Sequence, residues 1–226
     1  RLASRDINPG ESVWVVGLGA DSEIRLRGTE IADIEPIQLP LSRTMRFRDS
    51  NLEGIQLVNP PLDYDGVLLE RSGRVIGLWS SFAYESGREL TQDNRGVPID
   101  LVEEMLTRVR TNAPLHSLEV EFGITPLASA RELGLSDDWA KKLTQHSPSQ
   151  RQVLSIVRMV GGAPVTRVLQ QGDLVLAVDG KPVTNFREVE RAVADKQRVQ
   201  VTVWRGQSEQ TLDVDTVPLP GSDLDR

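Results

Sequence analysis

Along the first hundred residues, apolar positions come in short runs separated by turn-forming residues. The runs are Ser12–Leu18, the alternating stretch Glu23–Ile37, Glu53–Val58, Gly66–Leu69, Arg74–Trp79 and Arg95–Ile99. Strands this short and this regularly punctuated predict a sandwich or barrel. The period then changes. Leu101, Met105, Leu106 and Val109 repeat at helical spacing, with Asp100 the expected N-cap and Glu103 its capping-box partner. This helix is expected to close a first unit. Thr111-Asn112-Ala113-Pro114 follows as a connector, because proline stops a helix and biases its neighbour to extended structure.

A second unit opens with an expected strand, Leu118–Ile124. Leu127, Ala130, Leu133, Trp139 and Leu143 suit one or two short helices, and Ser136-Asp137-Asp138 suits a helix N-terminus. Strands resume at Val153–Val157 and at Leu174–Val178, which runs into Asp179-Gly180, a dipeptide that tolerates the positive φ of a tight hairpin turn. Asn185 can cap a helix over Phe186–Asp195 whose apolar face is Phe186, Val189 and Val193. Two last strands, Val199–Trp204 and Gln210–Val214, meet at Arg205-Gly206, and the nearly apolar-free tail from Pro218 to Arg226 is expected to be loose. The organisation reads as residues 1–110, a second domain at 114–218 and a tail at 219–226.

Composition narrows the chemistry. With 226 residues, 38% hydrophobic and 26% charged, the chain can bury two ordinary cores. A net charge of -7 and only 4% aromatic residues argue against nucleic acid as a partner, since neither phosphate attraction nor base stacking is provided for. With no cysteine, disulfides, thiolate metal sites and a cysteine nucleophile are excluded. No apolar run approaches the roughly 20 residues of a membrane span. The start, Arg1-Leu2-Ala3, reads as a cut within something longer.

The stretch Gln171-Gly172-Asp173-Leu174-Val175-Leu176-Ala177-Val178-Asp179-Gly180-Lys181-Pro182-Val183, followed by Phe186 and its helix, resembles the core of a bacterial PDZ domain of the HtrA family. The resemblance covers Leu118–Val217. It implies a groove in which a peptide adds as a strand beside the first strand, opposite the helix, while backbone amides before that strand capture a terminal carboxylate. Leu118 and Val120 would floor this groove, and Phe186, Val189 and Val193 would wall it. Glu119 stands between Leu118 and Val120, where such domains usually have glycine. A fixed negative charge there would repel a carboxylate, so internal or positively charged segments become the expected ligands.

Gly73-Arg74-Val75-Ile76-Gly77 and the ending Gly96-Val97-Pro98-Ile99-Asp100-Leu101-Val102 resemble the C-terminal barrel lobe of HtrA-family trypsin-like proteases. That lobe normally carries Gly-Asn-Ser-Gly-Gly, with serine attacking and neighbouring amides forming the oxyanion hole. Here Tyr64 or Asp63 falls at the nucleophile position, depending on the direction of counting. The stretch Asn51–Arg71 holds no Ser, Thr or Cys in any register. Long HtrA-like proteins with repeated protease and PDZ units, a later protease unit degenerate, show the same features at Arg46-Phe47-Arg48, Asn51-Leu52-Glu53-Gly54-Ile55 and Phe122 through Leu135.

The resulting expectation is a mainly β chain: a six-stranded trypsin-like barrel lobe followed by an α+β PDZ domain. The first functional reading is a non-catalytic module that binds peptide or unfolded-protein segments beside a pseudo-protease lobe, in protein quality control. A second makes the chain a fragment of an active serine endopeptidase whose catalytic unit lies upstream. A third makes it an oligomerisation piece with a closed groove, its partners further copies of the chain or the N-terminal protease lobe of the same protein. No cofactor is called for, and the resemblance favours the periplasm. The weaker motifs have plainer readings. Gly17-Leu18-Gly19 reads as a turn, and Asp63-Tyr64-Asp65-Gly66 has too few ligands for a calcium loop. Arg43–Arg48 reads as a solvated strand edge, His116 and His146 as surface residues, and Ser80 and Ser81 as barrel positions.

Overall fold

The computed structural model describes residues 2–3, 5–37, 51–86 and 89–219. Arg43–Arg48, and with it the arginine edge, lies outside them. Contacts divide the chain into two units, the first ending at Thr111 and the second beginning at Asn112 and taking in Asn51.

In the first unit, β1 (Ser12–Leu18), β2 (Ile24–Pro36), β3 (Glu53–Leu57), β4 (Gly66–Leu69), β5 (Val75–Ser86) and β6 (Glu89–Pro98) close an antiparallel barrel in the order β1-β2-β3-β6-β5-β4. Alternation sends Val13 and Val15 inward to join Ile31, Ile55, Leu68, Ile76 and Trp79 in the core. β5 and β6 run well past the predicted stretches Arg74–Trp79 and Arg95–Ile99. Their extensions are largely polar, so main-chain pairing extends them without any apolar alternation that a sequence reading could follow. Gly17 is not in a turn but inside β1, opposite Gly66 of β4. There the strands approach so closely that a Cβ on Gly17 would lie 2.0 Å from the Asp65 carbonyl oxygen.

Helix α1 (Ile99–Thr111) starts before Asp100, which therefore lies in the buried first turn and is not the N-cap. Met105, Leu106 and Val109 are exposed. The 3.6-residue period correctly predicted a helix but not what would cover it.

In the second unit, β8 (Val120–Pro126), β9 (Gln152–Met159), β10 (Leu174–Val178), β12 (Arg198–Arg205) and β13 (Ser208–Asp215) form one sheet in the order β13-β12-β10-β9-β8, with β11 (Lys181–Pro182) paired to β10. α2 (Leu127–Glu132), α3 (Asp137–His146) and α4 (Phe186–Val193) complete the unit, and β7 (Leu115–Ser117) pairs with β14 (Val217–Leu219). Pro218 and Leu219, expected to be loose, are thus held in β14 by pairing with His116 and Leu115. A partner strand 100 residues away leaves no local trace in the tail's composition.

Local chemistry accounts for the ends of the elements. Asp179 (φ 48°) and Gly180 (φ 73°) make a two-residue turn between β10 and β11. The Asn185 side chain accepts from Glu188 N at 2.9 Å, capping α4, while the Glu188 carboxylate accepts from Thr184 N at 2.7 Å. Ser136 accepts from Trp139 N and caps α3. Asn-to-Ala or Ser-to-Ala at such caps costs about 1 kcal/mol. Phe186, Val189 and Val193 then turn inward with Val120, Phe122, Ile156 and Val201 to form the main core, where the Phe122 and Phe186 rings sit 6.2 Å apart.

A candidate peptide groove and the Tyr64 loop

The groove residues named by resemblance come together. Leu118, Val120, Phe186, Val189 and Val193 belong to one apolar cluster between β8 and α4, each at most 4% exposed, and Glu119 is half-buried. Their burial means that these five side chains are covered.

The start of β8 differs from the expected strand Leu118–Ile124. Glu119 adopts φ 58°, the left-handed region that glycine enters freely and glutamate enters at a cost of about 1–2 kcal/mol. The extended chain is broken there, so β8 begins at Val120. The bend is held from both sides: Glu119 N donates to Ser117 Oγ at 3.0 Å, and Glu119 O accepts from Val160 N at 3.0 Å. A glutamate therefore occupies a glycine-type conformation where the resemblance expects glycine, and its amide already has an acceptor within the chain.

Among the described residues, β8 is the last strand of its sheet, with no further strand paired to its outer side. On that side lies Asn51, a residue for which sequence reasoning proposed no role. Its Nδ2 donates to Val120 O at 2.8 Å and to Glu190 Oε1 on α4 at 3.0 Å, while its Oδ1 accepts from Phe122 N at 3.1 Å. No local pattern marks Asn51, which is separated by 69 residues from Val120 and by 139 from Glu190.

Tyr64, which the resemblance puts at the nucleophile position, packs against the barrel core on the loop between β3 and β4. Its ring lies against Gly17. Burial and, secondarily, the Asp63 charge push the phenol's pKa up, and its hydroxyl is buried with no hydrogen-bond partner among the described residues. Asp65 is held by β5: its Oδ1 accepts from Ser81 N at 3.0 Å and its Oδ2 from Ser80 Oγ at 3.3 Å. Ser80 is thereby engaged on a strand, away from any glycine elbow. Tyr64→Phe removes an unsatisfied buried hydroxyl at no cost in packing. It is expected to raise the melting temperature slightly, by up to about 1 kcal/mol of stability, in a thermal denaturation series.

His116 is a buried residue, contrary to its reading as a surface one. Its Nδ1 lies 2.8 Å from Thr216 Oγ1 and its main-chain N donates to Ala194 O, which places it in the β7–β14 seam. His146 is partly exposed and lies 2.8 Å from Glu188 Oε1. Neither lies in the barrel unit with Tyr64. No helix among the described residues is long and apolar enough to cross a membrane.

A closed six-stranded barrel and, after it in the chain, a sheet whose edge strand faces a helix make a mainly β fold similar to that of HtrA-type proteases. Solved structures share this arrangement. HtrA-type protease AlgW with tripeptide aligns over 98% of this chain and 70% of its own, with a TM-score of 0.56 and 20% identity. HtrA-type protease AlgW with decapeptide aligns over 97% and 64%, with a TM-score of 0.52 and 19% identity. Among curated proteins, the chain is similar to Protease Do-like 7 of Arabidopsis thaliana, at 30% identity over 96% of this chain and 22% of the relative. Pro-apoptotic serine protease nma111 of Aspergillus oryzae is 26% identical, and a PDZ domain-containing protein of Schizosaccharomyces pombe 27% identical, each over 100% of this chain and 23% of its own length. The chain thus spans less than a quarter of these curated relatives. No protein-family model matches it.

Proposed function

We propose that this chain is a non-catalytic, peptide-binding part of an HtrA-like protein, in which the groove between β8 and α4 holds extended peptide segments and the barrel acts as a pseudo-protease scaffold. The observation that carries the reading is the edge of β8. Val120 O and Phe122 N face the groove, spaced to bond an added strand, with α4 opposite to take its side chains. The structural relatives named with a tripeptide and a decapeptide support peptide binding as such. On the barrel side, Tyr64 fills the place where acyl transfer would need a small, exposed nucleophile, and the absence of Ser, Thr and Cys from 51–71 leaves no substitute. Losing the nucleophile costs about a million-fold in turnover in a triad protease.

The test is a titration of the 226-residue chain against an array of peptides with free C-termini and of internal segments. Micromolar binding is expected, about -8 kcal/mol, and Val189→Arg should abolish it by placing a charge in the groove wall, in a sample whose circular dichroism and melting curve show that it stays folded. Glu119→Gly should raise affinity for free C-termini about tenfold relative to internal segments, because it removes a like charge near the carboxylate and frees the turn. Binding that survives Val189→Arg would sink the groove assignment, as would the absence of binding both by the folded chain and by its Asn51→Ala variant.

Two other readings have an observation of their own. Relatives named as proteases extend over more than four times this length, which supports an endopeptidase whose catalytic unit lies upstream. The burial of all five apolar groove residues supports an oligomerisation piece with a collapsed groove.

A further inference from the structure

An added strand bonds β8 through the alternate main-chain groups on its free side, of which Val120 O and Phe122 N are an adjacent acceptor and donor. A carboxamide is chemically a peptide group, with one carbonyl acceptor and N–H donors. The Asn51 side chain presents that group to β8 in the orientation of a docked peptide unit, accepting from Phe122 N at 3.1 Å and donating to Val120 O at 2.8 Å. The Phe122 N–H settles which end of the carboxamide is oxygen. The remaining Nδ2 hydrogen reaches Glu190 Oε1 at 3.0 Å, so the same side chain ties the groove's strand wall to its helix wall. Asn51 belongs by its contacts to the second unit, yet it stands two residues before β3 of the barrel.

We infer that Asn51 is a built-in competitor for the peptide groove: its carboxamide occupies the β8 hydrogen-bonding positions, and an incoming peptide must displace it to bind. This rests on the proposed peptide-binding reading and adds its regulation. The cost of displacement lowers the apparent affinity of every extended ligand regardless of sequence, because the contested groups are main chain.

The experiment compares the intact chain with Asn51→Ala and with Asn51→Asp, which keeps the shape and the acceptor for Phe122 N but loses the donor to Val120 O and sets a negative charge beside Glu190. Two quantities are read: affinity for the best-binding ten-residue peptide of the array, and hydrogen exchange of the Phe122 amide without peptide. Losing two or three hydrogen bonds should tighten binding about five- to thirtyfold in both variants. Asn51→Ala should speed Phe122 exchange, and Val189→Arg added to either variant should abolish binding. Binding that is sensitive to Val189→Arg yet unchanged or weakened in both variants would overturn the competitor role while leaving the groove assignment standing. If neither wild type nor variant binds any peptide of the array, the groove reading fails and the inference fails with it. Detectable binding by the variants alone would support both.

Discussion

Replacing Arg205 by Met is expected to destabilise the second unit by about 3–5 kcal/mol, read as a lowered urea midpoint with an unchanged slope. The Asp173 carboxylate is 1% exposed. It is engaged on both oxygens: Arg205 Nε donates to Oδ1 at 2.7 Å and Arg205 Nη2 to Oδ2 at 2.5 Å, while Gln170 N donates to Oδ2 at 2.8 Å. Arg205 also donates to Val168 O at 2.9 Å, so the pair ties the loop before β10 to the end of β12. The Asp173 hydrogen bonds hold the guanidinium pKa above its usual value, with burial working against them. Met keeps the length and apolar stem of Arg205 but leaves a buried anion without its counterion, which costs far more than the intact pair contributes. A double variant, Asp173→Asn with Arg205→Met, should recover much of the loss because the stranded charge is gone. A loss under about 1 kcal/mol in the single variant would show that water reaches Asp173 and that the pair is unimportant to the fold.

Gly17→Ala is the second large effect, and it falls on the barrel. The new Cβ would lie 2.0 Å from the Asp65 carbonyl oxygen and 2.8 Å from the Tyr64 ring. The Gly66 site is its mirror, with a Cβ 2.0 Å from Val16 O. The first obstacle is main chain on the strand paired with β1, so relief requires the β1–β4 seam to open. Seams cannot be opened cheaply in a closed barrel, which has no edge to absorb the shift. Overpacking typically costs about 1–3 kcal/mol, and this site should lie at or above the top of that range. Calorimetry should show the barrel melting at least about 10 °C lower, since about 1 kcal/mol moves a unit of this size by about 4–8 °C. Hydrogen exchange should place the loss at the β1–β4 pairs and leave β10 and β12 protected. An unchanged melting temperature would contradict the close approach.

The two predictions mark different depths of legibility. Strands β1, β3, β4 and β10 were readable nearly to the residue because half-buried strands must alternate or run apolar, and Asp179-Gly180 and Asn185 announced a turn and a helix start through their own local chemistry. The Asp173–Arg205 salt bridge was not legible: the two residues are 32 positions apart, and either alone looks like a surface charge. His116 misled in the same way, because a histidine's burial depends on the strand beside it and not on its neighbours in sequence. Gly17 looked like part of a turn because glycine has the same composition signal in a turn and at a close strand approach.

By itself, then, the sequence determined the mainly β character, the sequence of strands and helices, the HtrA-like resemblance, the apolar faces of α4 and β8, and the lack of any hydroxyl or thiol nucleophile in 51–71. These are local or compositional properties, set by residue spacing and side-chain chemistry. Tertiary structure alone decided that Glu119 takes a glycine-like bend, that Tyr64 is pressed against Gly17, that β14 pairs with β7, and that Asn51 bonds the free side of β8. Each depends on groups brought together from distant positions, where packing and main-chain hydrogen-bond satisfaction select the partner and leave no periodic trace along the chain.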